Sequence, residues 1–262
     1  MGIVITENLI LAQRPVAPSF GILAYRSNVS FSNIAATSET SANPATNMAN
    51  PLTAFSWVAS STATQTITID NDNQEVDYIA FARHNLNQPG LTVTVSFDGS
   101  TVIDAVSVGS AQAVFYQVNT AAPTTITMVI SGATTAPTIA VLYAGLSTTL
   151  ERGIYVGHTP ISYGRDRSTI NGVSENGQYL GEVVIRENFS TSVSLNNLTA
   201  SWYRNTLDPY FALKPRRPCF WVWYPDSYPS EVGYCWVEGN PRPVNQRNNG
   251  MMQISWNFRG IA

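Results

Sequence analysis

The chain is 262 residues long, with a formal net charge of −3, 44% hydrophobic residues and only 12% charged ones. That charge content is about half the usual share. It excludes a polyanion-binding surface, which needs clustered Lys and Arg to displace counterions. Lys214 is the only lysine, and Ser, Thr, Asn and Gln fill the polar positions, so composition favours strands and loops over helices.

The first segment, "MGIVITENLILAQRP", has no basic leader and carries Glu7 inside its apolar stretch. It reads as a strand rather than a secretory signal. No apolar run approaches the about 20 residues of a membrane span. "NPATNMANPLTAFSWVAS" (Asn43–Ser60) brings Trp57 to the start of the strand-like "STATQTITID". There Thr64, Thr66 and Thr68 alternate with Gln65, Ile67 and Ile69. "VDYIAFARHN" is a mostly buried strand ending in a polar turn. "LTVTVSFDGS" alternates and stops at Asp98-Gly99. "AVFYQVN", "TTITMVISG" and "PTIAVLYAG" follow. Short strands with turn signals between them predict an all-β sandwich.

The composition changes near residue 150. Residues 1–150 hold three arginines and eight acids; residues 151–262 hold ten arginines, Lys214 and nine acids, with five of the six tryptophans. "GQYLGEVVIREN" and "STSVSLNNL" predict a pair of strands. "TASWYRNTLDPYFAL" predicts one short helix, capped by Thr199 or Ser201 and ended at Asp208-Pro209. "RPCFWVWYP", "EVGYCWVEGN" and "GMMQISWNFRGIA" read as strands. A hairpin centred near Ser227 places Cys219 opposite Cys235, as two buried thiols in preference to a disulfide. The expected division is a sandwich over 20–149 and a second β-rich domain over 150–262, completed by residues 1–19.

No nucleophile–base set, HExxH pair or Walker loop is present, so the expectation is a protein without enzymatic activity, cofactor or metal. His84 and His158 are far apart in sequence. Asp70, Asp72, Glu75 and Asp77 share one loop, where a solvated turn is favoured over calcium, and calcium over a glycosidase pair. Cys219, Trp221 and Trp223 alternate with Phe220, Val222 and Tyr224. A strand apolar on both faces is covered on both, here by core and by a subunit interface.

Two stretches carry a resemblance. Asn47–Gly99, "NMANPLTAFSW…TITID…VSFDG", resembles the galactose-binding-like (discoidin-type) jelly roll, which implies that Trp57 packs at the sandwich edge. Asn171–Ala262, through "SENGQYLG", "LDPYF" and "YPSEVGYCWVEGNPRP", resembles structural proteins of tailed-bacteriophage tails, of the distal-tail type. The resemblance implies a virion component of the tail tip or baseplate, assembled in the host cytoplasm with other tail proteins. It implies a sixfold or threefold ring; the charge content and the lack of a long apolar run add the expectation of no nucleic-acid partner and no membrane insertion. The alternative is a carbohydrate-binding module for host-surface attachment. Candidate sugar contacts are Trp57, Arg83, His84 and Asn85, at strand ends where jelly-roll loops gather. Candidate interface residues are Arg216, Arg217, Trp221 and Trp223.

Overall fold

A computed structural model describes residues 3–6, 20–154, 157–246 and 250–261. Its strands in chain order are β1 (Ile3–Thr6), β2 (Ile22–Ala24), β3 (Ile34–Ala36), β4 (Trp57–Val58), β5 (Gln65–Asp70) and β6 (Val76–His84). Then come β7 (Thr92–Phe97), β8 (Ser100–Val106), β9 (Val114–Ala121), β10 (Thr125–Ser131), β11 (Thr138–Gly145) and β12 (Thr148–Thr149). The second part adds β13 (Arg165–Val173), β14 (Tyr179–Thr199), β15 (Cys219–Val222), β16 (Val232–Glu238), β17 (Val244–Asn245) and β18 (Met251–Ile261).

The sandwich is two five-stranded sheets, ordered β1-β9-β6-β11-β4 and β3-β5-β10-β7-β8. Period-2 alternation builds the second of these. In β5, Gln65, Ile67 and Ile69 are buried while Thr66 and Thr68 face out, and β7 and β10 repeat the pattern. Gln65 is the polar member of that inward row, and its amide is satisfied by Ser38 and by the Ala63 carbonyl. Asp98 and Gly99 both take positive φ, which is what a two-residue hairpin between β7 and β8 requires. The Asp98 carboxylate then accepts the backbone N–H groups of Thr124 and Thr125.

The other sheet runs β12-β2-β15-β16-β18-β14-β13, with β17 paired to β18. It lies against the outer face of the first sandwich sheet, so the molecule has three β layers. The layer between them is built of small against large residues. Ala80, Ala82, Ala113 and Ala140 on the sandwich meet Phe220, Val222, Val232 and Tyr234 on the other sheet. Strands β6 and β11 therefore contribute to two cores, with Ile79, Phe81, Ile139 and Leu142 turned inward to the sandwich. Beyond the second sheet a third cluster, including Trp221, Phe258 and Tyr210, is covered by the helical segment Ala200–Ala212.

Three expectations are corrected. Strand β1 pairs in parallel with β9 of the sandwich; the early segment that enters the second sheet is β2, paired with β15. "GQYLGEVVIREN" and "STSVSLNNL" are one continuous 21-residue strand, because no Gly or Pro interrupts the polar residues joining them. Its partner β13 had no alternating apolar pattern to mark it. The helix is capped by the Thr199 side chain as expected, but it runs through Pro209 to Ala212. A wide π-type turn over Tyr203–Leu207 precedes the proline and shifts the carbonyls that its ring would meet in a regular helix.

Candidate functional site

The fold gathers the four candidate sugar contacts at one end of the sandwich, since Trp57 and His84 both pair with Ile139. It then engages three of them internally. Trp57 is fully buried in the sandwich core, and its indole N–H donates to the Ser38 carbonyl at 2.9 Å. His84 is buried; its Nδ1 accepts from the Leu86 N–H, so Nε2 carries the proton and donates to the Gln112 carbonyl. Burial pulls the His84 pKa down to about 4, against that hydrogen bond, so the ring is neutral at pH 7. The Asn85 side chain donates to the Ala136 carbonyl and accepts from the Thr138 N–H. Arg83 alone points to solvent, on a backbone with φ of +54°. These residues hold the strand ends together and form no open ligand platform.

The acidic loop is a tight turn. Asp72 and Asn73 take positive φ, and the buried Asn71 amide donates to the carbonyls of Gln74 and Pro123. The Asp77 carboxylate accepts from Ser147; burial raises its pKa, and those hydrogen bonds oppose the rise. Among the described residues no three His, Cys, Asp or Glu side chains converge as metal ligands.

The proposed interface residues separate. Trp221 is fully buried between Phe258 and the rest of its core, and Phe220 and Val222 on the opposite face meet the sandwich. Both faces of β15 are therefore covered within one chain, which removes Trp221 from any subunit surface. Trp223 is half-buried, stacked on Tyr228 with centroids 5.2 Å apart and beside His158. Arg216 is tied to the Gly239 carbonyl and Asn240, leaving Arg217 exposed. Cys219 and Cys235 are directly paired across β15 and β16, both free and buried, with sulfurs 3.7 Å apart.

The feature that the sequence did not reveal is an arm. Strand β13 and the first half of β14 form a two-stranded ribbon with solvent on both faces. At about 3.3 Å per residue its nine paired positions extend about 30 Å. Ile170, Val173, Tyr179, Leu180 (69% exposed), Val183 (66%), Val184 and Ile185 are all exposed on it. β13 is also a free sheet edge nine residues long. Such a ribbon is marginal in water without a covering surface, and a contiguous apolar patch marks an interaction site. A signal was present in "YLGEVVI": strand-forming residues with no polar alternation and no obvious partner strand.

Where the arm leaves the body there is a cleft of about 530 Å³. Tyr163, Arg165, Arg167, Glu187 and Gln112 line it. Arg167 grips Glu187 through two hydrogen bonds, at 2.9 and 3.1 Å. The Gln112 Oε1 is buried with no partner among the described residues. Glu231, next to the cleft residue Ser230, has a buried carboxyl with an unpartnered Oε2, and burial raises its pKa.

No family model matches the chain, and no curated protein matches it. Among solved structures it is similar to chitosan-binding module 1 of a chitosanase/glucanase from Paenibacillus sp. IK-5, at 11% identity over 46% of this chain and 98% of that one, TM-score 0.40. It is similar to a family 32 carbohydrate-binding module from Clostridium perfringens NanJ solved with galactose, at 16% identity over 47% and 98%, TM-score 0.36. A further C. perfringens module, in complex with GalNAc-β-1,3-galactose, is 18% identical over 43% and 94%, TM-score 0.35. Likenesses this distant assign no ligand; the sandwich is established by its own two sheets.

Proposed function

We propose that this chain is a non-enzymatic assembly protein whose arm joins it to further copies in a closed oligomer. The observation that carries this is the exposed apolar ribbon, solvated on both faces and free along one edge. Burying it removes apolar area from water and pairs the open edge. With the resemblance of residues 171–262, the reading extends to an oligomer in the tail tip or baseplate of a tailed bacteriophage. The test is sedimentation velocity of the full chain beside Val183→Asp and Ile185→Asp. Wild type should sediment as an oligomer and both variants as folded monomers. Oligomers of unchanged size in both variants would remove the arm from the interface.

A second reading is a sandwich that grips a host-surface glycan. The similar solved structures named above are carbohydrate-binding modules and none is a virion protein. Their distance leaves the reading to rest on one loop. Residues 28–33 are stapled by Asn28 to Asn71 and by Asn33 to the carbonyls of Asn28 and Asp70, and they hold Phe31 61% exposed. A rigid loop presenting an aromatic ring among amides suits a sugar face. Glycan-array retention lost on Phe31→Ala would support it, and retention that survives that change would not.

A further inference from the structure

The arm needs a receptor, and the surface of the molecule offers a candidate. We propose that the arm tip of one copy seats in the arm-base cleft of the next, head to tail. This rests on the assembly reading and names the partner surface.

Charge is the first argument. Residues 168–185 contain Glu175 and Glu182 and no basic residue. The cleft sets Arg165 and Arg167 against the single acid Glu187. An acidic tip therefore meets a basic notch, the arrangement that steers encounter and fixes register. Arg167 is already committed to Glu187, so Arg165 is the residue assigned to the incoming carboxylate.

Hydrogen bonding is the second. The buried Gln112 Oε1 accepts nothing from the described residues. A buried acceptor left without a donor is costly. The tip supplies donors. It is a turn closed by Gly177 N–H to the Ser174 carbonyl and Ser174 N–H to the Gln178 carbonyl, with Asn176 and Gln178 exposed on it. Either amide offers an N–H to Gln112 once that side chain turns its oxygen toward the cleft it lines.

Shape is the third. The cleft volume accommodates a turn and a few side chains, not the whole ribbon. Tyr163, 74% exposed at the rim, is an apolar counterpart for Val173 and Tyr179 beside the turn. A chain cannot fill its own cleft, because its tip stands about 30 Å from the arm base. The occupant is another copy. Tip and cleft are different surfaces, so the contact is heterologous, and repeating it closes a ring when the rotation permits.

The experiment measures the mass distribution of the full chain, of Arg165→Glu, of Glu175→Arg/Glu182→Arg and of the triple variant carrying all three changes. All altered positions are exposed, so the monomer should stay folded, checked by circular dichroism. Reversal on either side should weaken association about tenfold or more, and the triple variant should recover it. Assembly that survives Arg165→Glu but is lost in Val183→Asp overturns the cleft assignment and leaves the assembly reading standing. Failure of the triple variant to recover also overturns the assignment. A wild-type chain that stays monomeric at every concentration overturns both. So does a monomer retained on a polysaccharide column in a way that Tyr163→Ala abolishes, since the cleft would then be a sugar site.

Discussion

Replacing Trp57 by alanine separates a core aromatic from a ligand contact. The indole is fully enclosed by the sandwich core, and its N–H is hydrogen-bonded to the Ser38 carbonyl. Truncation removes the ring's buried apolar surface and leaves a cavity, a loss of about 3–5 kcal/mol for Trp→Ala. The Ser38 carbonyl loses its partner as well, which puts the expectation at the upper end of that range. Trp57→Phe keeps most of the ring and should cost about 2–3 kcal/mol, mostly through the orphaned carbonyl. The sandwich and the second sheet share a buried layer, so their unfolding is coupled, and urea denaturation followed by far-UV circular dichroism reads the change. A loss below about 1 kcal/mol for Trp57→Ala would contradict its enclosure in the core, because truncating a buried Trp typically costs about 3–5 kcal/mol.

Acid should destabilise the fold through its two histidines. Burial pulls the pKa of His84 and of His158 from 6.5 to about 4, so each stabilises fully above about pH 6.5 and progressively less as pH falls toward 4. Each contributes up to about 3 kcal/mol over that window, seen as a falling urea midpoint that flattens in His84→Gln. Cys219 and Cys235 should resist a thiol reagent until the chain is unfolded, since both are buried and burial holds the Cys235 thiol well up; labelling of the native protein would contradict this. Gly132→Ala should cost more than about 1 kcal/mol, because Gly132 has φ of +76° and an added Cβ would run into the Gly90 carbonyl; an unchanged melting temperature would show that the turn can move. Val183→Asp should leave monomer stability within about 0.5 kcal/mol of wild type, as an exposed position does, and a drop in the melting temperature of the isolated monomer would argue that the arm folds back on its own body.

Much of the sandwich was legible because its strands obey a local rule. "TQTITID" and "LTVTVSF" alternate with the period of a sheet that is wet on one side, and Asp98-Gly99 announces its own hairpin. The opposition of Cys219 and Cys235 followed from counting outward from the "PDSYPSEVG" turn, and the pairing of β15 with β16 places them there. "VDYIAFARHN" and "CFWVW" declared that both faces are covered, but not by what. The cover proves to be each other's sheet, and that tertiary choice leaves no mark on either segment alone. The arm was missed for the opposite reason. Its residues look like an ordinary buried strand, and only the fold shows that they stand exposed, with none of the described elements packed over them. Trp57, His84 and Asn85 lie at strand ends, as their sequence context indicates. Their hydrogen bonds are spent on the neighbouring backbone, and no residue pattern reveals that.

The central claim is that the arm makes this chain one subunit of a closed assembly. Mass photometry of the purified 262-residue chain across nanomolar to micromolar concentrations is the decisive measurement. One dominant oligomer is expected, with a mass that is a fixed integer multiple of the chain, three or six copies if the resemblance holds. The Val183→Asp protein is expected to collapse to a single monomer peak. A wild-type protein that shows only the monomer peak throughout, with its apolar arm uncovered, would contradict it.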